Sequence, residues 1–592
     1  MPDWSRDAIL DRLRRAPSPD VLVIGAGING AAAFRDLAAQ GLRVVIVDKG
    51  DIASGASAAL SRMVHGGLRY LETAEFGLVH QALYERNLLL RNAPHLVAPL
   101  RTVVPLYSAW GGLAGALRKL TRRPTRSGRR GSVLVRMGLR LYDLLGRHAR
   151  MLPSHRMLDR ATVLATMPGL TPTVTAAAEY HDAWVAHPER LNLELVLDGL
   201  AAGNACEALT YAAVESGCGD TVTLRDGIDG ATLALRPRVV INAAGPWIDR
   251  VNAPLGIVGR LIGGTKGSHL VLDHPQLLAS LGDAMLWFEA EDGRTCIVFP
   301  FLGHVLLGTT DLRIDDPDAA RCDESEVDYL FAVMREVFPG IALSRAHVVF
   351  RYSGVRPLPH VDVASPGLIP RSHSLPVHEP SAPGGFPVYA MVGGKWTTFR
   401  GFGAEAADVV LRRLECRRRV DTRDRPIGGG RDFPTTRTAR MAWIREVAIA
   451  SGLTEGRVAT LLDRYGTRAR SVAQGCGGSR DTPLASLPDH SRGEIAWILR
   501  EEFVTRLDDL ILRRTLIAIR GEARAVVLEE LADIAAEALR WSPARRASEL
   551  ACTIERLRDR HGVSVEMPRD AAIPPSPSES GQSADAKSRA VR

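Results

Sequence analysis

Short apolar runs, each closed by glycine or another small residue, recur along most of this chain. Residues 20–24 (DVLVI) read as a buried parallel strand, because a strand covered on both faces loses the alternation of a half-exposed one. Gly25-Ala26-Gly27-Ile28-Asn29-Gly30 supplies a turn. The alanine-rich residues 31–40 predict a helix that Gly41 ends, and residues 42–47 a second strand with Asp48 at its tip. Residues 238–242 (RVVIN) repeat the buried-strand pattern and close on Ala243-Ala244-Gly245-Pro246. Between about 256 and 352, alternating segments such as SHLVLD, TCIVFPF and HVLLGTTDL predict a β-rich domain. A last strand at 388–392 runs into Gly393-Gly394-Lys395 and a helix starting near Thr397. The periodicity then turns helical, as in EIAWILREEF and LDDLILRRTLIAI. This divides the chain into an N-terminal leader (1–19), a discontinuous domain (20–420), a helical domain (436–562) and a Pro- and Ser-rich tail (563–592) expected to be disordered.

One segment breaks the pattern. Residues 118–150 hold eleven Lys or Arg against one acid, Asp143. The second half places Val133, Met137, Leu141, Leu144 and Leu145 near one helical face. It predicts an amphipathic helix, either packed on the body with a solvated outer face or in contact with a membrane surface or a partner. No run of about 18 apolar residues exists, so any membrane contact is expected to be peripheral.

Composition narrows the classes. With 592 residues, 46% hydrophobic and 24% charged, the chain can bury several cores. A net charge of +8 is modest for this length. It suits an anionic small molecule or an anionic membrane face, and no nucleic-acid partner is expected. The seven cysteines are scattered and contain no Cys-x-x-Cys, which points to a reduced, cytoplasmic compartment and to no zinc or iron–sulfur site. The N-terminus mixes charges and lacks the apolar core of a secretory signal.

The chemistry begins at Gly25-x-Gly27-x-x-Gly30. The first glycine makes a tight turn, the second lets backbone approach a pyrophosphate, and the third lets helix and strand pack closely; the helix N-terminus then faces the phosphates. Asp48 can accept from ribose hydroxyls. Glycine-marked strand ends recur at 243–245 and 393–394. Distant segments converging on one nucleotide are typical of FAD proteins of the glutathione-reductase type, whereas a simple NAD enzyme needs only one such unit. The expected fold is therefore α/β, with a Rossmann-like FAD-binding domain of that type, a β-rich substrate domain and a helical C-terminal domain. Gly393-Gly394 before a helix could aim N–H groups at flavin carbonyls. Gly394-Lys395 is not a P-loop, since Tyr389 stands where its first glycine belongs.

The segments VIGAGINGAAAFRDLAAQG, SRMVHGGLRYLE, INAAGPWIDRV, KGSHLVL, FPFLGHVLLGTTD, YSGVRPL and GGKWTTFR stand in order along residues 20–540. Together they resemble the FAD-dependent glycerol-3-phosphate dehydrogenases. The resemblance implies oxidation of a small polyol phosphate at carbon 2 by hydride transfer to flavin N5, with electrons passed to a quinone by an enzyme resting on the inner face of the cell membrane. It implies cofactor contacts at Gly25, Gly27, Ile28, Asn29, Gly30, Asp48, Ser57, Ser61, His65, Gly66, Gly67, Ala244, Gly245, Gly394, Lys395 and Thr397. Arg356 matches a phosphate-site arginine, Arg371 aligns with a second, and Arg69 and Tyr70 match pocket residues. His269, Lys395 and Arg356 are the implied catalytic set, with the base left open among His269, His65 and Lys395. Three departures bear on the substrate: Ala58-Ala59-Leu60 interrupts a Ser/Thr-rich run, Ser372 follows Arg371 where aspartate is usual, and residues 180–190 are less typical. A longer polyol phosphate such as erythritol phosphate, or a non-catalytic FAD-binding regulatory relative, stays open at this level. A homodimer is compatible with the sequence, which does not define the assembly.

Overall fold

The computed structural model describes residues 3–73, 75–111, 131–147, 151–203, 205–361, 372–380, 382–478 and 481–566. One layer is a six-stranded sheet in the order Val377–His378, Val388–Ala390, Val239–Asn242, Val21–Ile24, Val44–Val47, Glu207–Leu209. The central strand Val21–Ile24 runs parallel to both neighbours. Every residue of the three central strands is buried, so the apolar runs without alternation are those of a sheet covered on both faces. Helix Ile28–Ala39 packs against helices Pro188–Ala202 and Phe399–Arg413. Segments far apart in sequence thus converge on one sheet, as the three glycine-marked strand ends predict.

The second layer is a ten-stranded mixed sheet. Its middle comes from the region expected to be β-rich, with Thr265–Leu272 paired antiparallel to both His304–Gly308 and Val348–Arg356. Four further strands come from earlier in the chain, including Val97–Leu106 and Ala176–Val185, which pair along their full length. The periodic pattern hid them. Val97–Leu106 contains Pro99 and Pro105, which weaken a strand assignment, and Ala176–Val185 is rich in alanine, a helix former. Their register is decided by partners far along the chain.

The helices of the C-terminal domain begin where sequence places hydroxyl caps. Thr436, Thr454, Ser491 and Ser542 each accept a backbone N–H in the first turn of the helix that follows. These helices share one apolar cluster with Phe350 and Tyr352 of the large sheet. A buried ionic lock also ties the domain to the nucleotide half. Arg514 makes two bonds of 2.7 Å to Asp51, and Arg513 Nε adds one of 2.5 Å. Burial pushes the Asp51 carboxyl up, and the two guanidinium cations outweigh this and hold it below its usual range.

One expectation is corrected. The segment read as a leader forms helix Arg6–Arg15, whose Ile9, Leu10 and Leu13 are buried in the nucleotide domain's core. Its arginines disguised that stripe; Arg6 and Arg12 pair with Asp226 and Glu207. The amphipathic helix forms at Ser132–Leu145 but packs through Val135, Leu139 and Tyr142, while Met137 and Leu144 are 61% and 55% exposed. Apolar residues occupy a wide arc of this helix, so period alone could not choose which part of the arc is buried. Residues 118–130 and 148–150 of the basic region, and residues 567–592 of the expected tail, lie outside the described residues. Among the described residues no helix is long and apolar enough to cross a membrane, and no group of His, Cys, Asp and Glu is arranged to hold a metal ion.

Candidate active site

The turn after Val21–Ile24 is as tight as its glycines require. Gly25 has φ +108°, and a Cβ there would sit 2.6 Å from the Ala243 carbonyl oxygen. A Cβ on Gly30 would overlap the Gly25 carbonyl oxygen. A Cβ on Gly27 would lie 3.1 Å from Ser57 Oγ, which itself accepts from the Ile28 N–H at 2.9 Å. Asp48 holds the same turn: its two oxygens accept from Ala26 N–H at 2.7 Å and Gly50 N–H at 2.8 Å. Burial pushes this carboxyl above its usual range, and the two backbone donors pull it back. Each oxygen keeps a second lone pair for a ribose hydroxyl.

The other strand ends meet this turn. Asn29 Nδ2 donates to the Gly393 carbonyl at 3.4 Å, and a Cβ on Gly394 would stand 3.3 Å from the same nitrogen. Ala244 N–H donates to Asn242 Oδ1 at 3.2 Å, and Gly245 opens a short turn at φ +58°. Asn29 Oδ1 and Trp396 Nε1 are buried without a hydrogen-bond partner among the described residues. Buried polar atoms of this kind need a partner, and a dinucleotide bearing a polar ring system supplies donors and acceptors at such a place. The residues fit FAD.

The His65-Gly66-Gly67 segment joins this region from another direction. Lys395 Nζ donates to the His65 carbonyl at 3.4 Å and lies 4.6 Å from the centroid of the Tyr70 ring. Thr397 Oγ1 accepts from His65 N–H at 3.2 Å. A Cβ on Gly67 would overlap Tyr70 and come within 2.8 Å of Lys395 Nζ. His65, Gly67, Tyr70, Lys395 and Thr397 are therefore brought together, although most of the chain separates the two segments.

A second cluster sits on the large sheet. Positions 267 and 269 share one face of strand Thr265–Leu272. Glycine at 267 leaves room for the Arg356 guanidinium, which a Cβ would overlap. Arg356 Nη1 donates to Asp311 at 2.9 Å, and Nη2 donates to the Thr310 carbonyl at 3.2 Å and to Thr309 Oγ1 at 3.3 Å. His269 lies opposite Gly308, whose missing side chain makes space for the imidazole. The ring stacks on Tyr352 at 4.9 Å, and Nε2 shares a 2.7 Å hydrogen bond with Ser61 Oγ. His269 Nδ1 is buried with no hydrogen-bond partner among the described residues. Burial first, then the Arg356 and Arg62 cations, push the pKa of His269 down to about 3. The ring is neutral at neutral pH.

Arg69 is exposed and donates to Thr295 Oγ1 at 3.3 Å, so it is not among the buried groups. Arg371 lies outside the described residues. Sequence reasoning missed Asp311, Thr309 and Tyr352 as partners of Arg356 and His269. The run Gly308-Thr309-Thr310-Asp311 was the available signal, a polar cluster directly after a buried strand. It also missed Tyr142 and Asp182, which no local motif marks.

A Rossmann-like nucleotide turn, with Ser57 bonded to it and Ser61 a few residues on bonded to His269, fits a flavin-dependent oxidoreductase. Residues 20–409 match the FAD dependent oxidoreductase family, and residues 420–546 match the C-terminal domain of alpha-glycerophosphate oxidase. A glycerol-3-phosphate dehydrogenase of Synechocystis sp. is 36% identical, covering 84% of this chain and 89% of its own length. The D-erythritol 1-phosphate dehydrogenase of Brucella abortus is 32% identical, covering 84% and 94%. The structure of a glycerol-3-phosphate dehydrogenase from Bacillus halodurans complexed with FAD shares the fold, with a TM-score of 0.71 at 23% identity over 94% of this chain and 98% of that one. The chain belongs to the FAD-dependent glycerol-3-phosphate dehydrogenase family, and FAD is its cofactor.

Proposed function

We propose that this protein oxidises sn-glycerol 3-phosphate at carbon 2 to dihydroxyacetone phosphate and delivers the electrons to a membrane quinone. The observation that supports the substrate end is the Arg356 guanidinium laid over Gly267 beside the buried, neutral His269. Bound FAD supplies the acceptor for the hydride leaving carbon 2. Arg356 binds the phosphate, and Asp311 and Thr310 fix the direction of its fork. His269 takes the hydroxyl proton. Burial first and the Arg356 cation second lower its basicity in the free protein; a phosphate dianion on that arginine offsets the second part, so the base strengthens when substrate is in place. Lys395 adds positive charge beside the cofactor loop.

A second reading keeps the chemistry and lengthens the polyol. The Brucella relative, named for erythritol 1-phosphate, is about as similar to this chain as other relatives are, and Ser372 departs from the family pattern. A purely regulatory FAD binder is disfavoured, because it has no use for Arg356 and Lys395. Anaerobic mixing with a panel of polyol phosphates separates the readings. Glycerol 3-phosphate is expected to bleach the visible flavin absorbance fastest. Faster bleaching by erythritol phosphate selects the second reading, and no bleaching by any member overturns both.

For the quinone end, helix Ser132–Leu145 offers the contact. It exposes Met137 and Leu144 together with Arg136 and Arg140, Arg147 just past its end is exposed too, and Trp110 near its start is 70% exposed. Apolar side chains among cations match an anionic bilayer face. This supports peripheral attachment at the cytoplasmic side of the cell membrane.

A further inference from the structure

The peptide unit joining His65 to Gly66 is held from both ends. Its carbonyl accepts from Lys395 Nζ and Thr397 Oγ1, each at 3.4 Å. Its N–H donates to the Tyr142 hydroxyl at 3.0 Å and, over a longer path, to Asp182 Oδ1 at 3.3 Å. Tyr142 donates to the same Asp182 oxygen at 2.7 Å, and Arg86 Nη1 donates to it at 2.8 Å. Tyr142, Asp182 and Arg86 are all buried. A Cβ on Gly66 would overlap the Tyr142 hydroxyl, so glycine is what admits this contact.

A planar peptide carries its C=O and N–H in opposite directions, so rotating the plane to break the contact at one end breaks it at the other. The Tyr142 hydroxyl therefore sets the direction of the His65 carbonyl. That carbonyl is one of the groups that hold the Lys395 ammonium over Tyr70. We propose that Tyr142, backed by Asp182 and Arg86, is a positioning residue of the reaction: through the 65–66 peptide it orients the carbonyl that holds Lys395. This rests on the role given to Lys395 above. It assigns helix Ser132–Leu145 a task in the active site besides its outward face.

The test uses the full-length, FAD-loaded protein and four variants: Tyr142→Phe, Lys395→Ala, the double variant, and Val135→Ala. The last trims packing of the same helix without touching these hydrogen bonds. The readouts are kcat with the polyol phosphate that bleaches the flavin, and the flavin midpoint potential. Tyr142→Phe is expected to lower kcat about tenfold, the worth of one hydrogen bond at a charged partner. The potential should become more negative, with FAD content as in the parent. In the Lys395→Ala background, Tyr142→Phe should add less than about twofold, because two changes on one path do not multiply. Val135→Ala should leave both readouts unchanged. Parental kcat and potential in Tyr142→Phe overturn the inference, as do multiplying effects in the double variant or a Val135→Ala that mimics Tyr142→Phe. Lys395→Ala at parental kcat and potential sinks the Lys395 assignment and this inference together. A Lys395→Ala loss with a parental Tyr142→Phe sinks the inference alone.

Discussion

Gly267 leaves room for the Arg356 guanidinium, whose charge reaches the buried His269. Replacing Arg356 with alanine removes a charge-assisted fork and leaves a phosphate dianion under-compensated. The expected loss is about 2–5 kcal/mol in transition-state binding, read as kcat/KM. Lysine should recover only part, since a point charge cannot reproduce the fork. FAD content should stay normal, because the cofactor turn is held by other residues. Near-normal kcat/KM in Arg356→Ala, for every polyol phosphate the parent oxidises, would move the phosphate role to Arg69 or Arg371. Asp48 makes the complementary case. Its carboxylate restrains the glycine turn through Ala26 and Gly50 and keeps lone pairs for ribose. Asp48→Ala should weaken FAD retention by about 1.5–3 kcal/mol, the scale of hydrogen bonds to a charged group. Equilibrium dialysis or fluorescence of released FAD measures this, and unchanged retention would refute it.

Helix Ser132–Leu145 carries two faces with separate tasks. Val135, Leu139 and Tyr142 hold it to the body, and Met137 and Leu144 look outward among arginines. Charging the outer face tests the membrane reading without disturbing the inner one. Met137→Glu with Leu144→Glu should sharply reduce co-sedimentation with phosphatidylserine vesicles at low salt and leave FAD content and thermal stability unchanged. Binding of the parent should itself fall as salt rises, because each cation near an anionic surface contributes only about 1 kcal/mol and is screened. A parent that does not co-sediment at low salt would make the outer face merely solvated.

At the scale of the whole molecule, burial makes the fold acid-sensitive. His95 and His269 are pushed down to about 3, and His561 to about 4, chiefly by burial, from an ordinary 6.5. In the unfolded chain these rings titrate near the ordinary value. As pH falls below it, the unfolded state takes up protons that the folded state refuses. The stability they contribute is fully present above about pH 6.5 and is lost as pH falls toward about 4 for His561 and about 3 for His95 and His269, by up to about 1.4 kcal/mol per pH unit for each ring. Thermal unfolding followed between pH 7 and 4.5 should show a steadily falling midpoint. His95→Gln should flatten the slope, whereas a midpoint insensitive to pH over this range would contradict the burial of these rings.

Local sequence determined the nucleotide-binding turn of this protein and the strand and helix that flank it. Unalternating apolar strands follow from burial on both faces, and the glycines at 25 and 30 from backbone clearance, so DVLVIGAGING already specifies a strand, a turn and a helix. The resemblance carried by KGSH and SGVR then marked His269 and Arg356 themselves, and not Thr309, Asp311 and Tyr352, which meet them. Tertiary structure decided what has no local signature. The strands Val97–Leu106 and Ala176–Val185 exist because they pair with each other, against prolines and alanines that argue otherwise. The buried face of Ser132–Leu145 follows from Asp182, a partner on one of those strands, which gives the Tyr142 hydroxyl somewhere to donate. Asp51 is matched by Arg513 and Arg514 across the whole chain. Such choices depend on which polar group finds a partner once water is excluded, and spacing along a sequence carries no record of that.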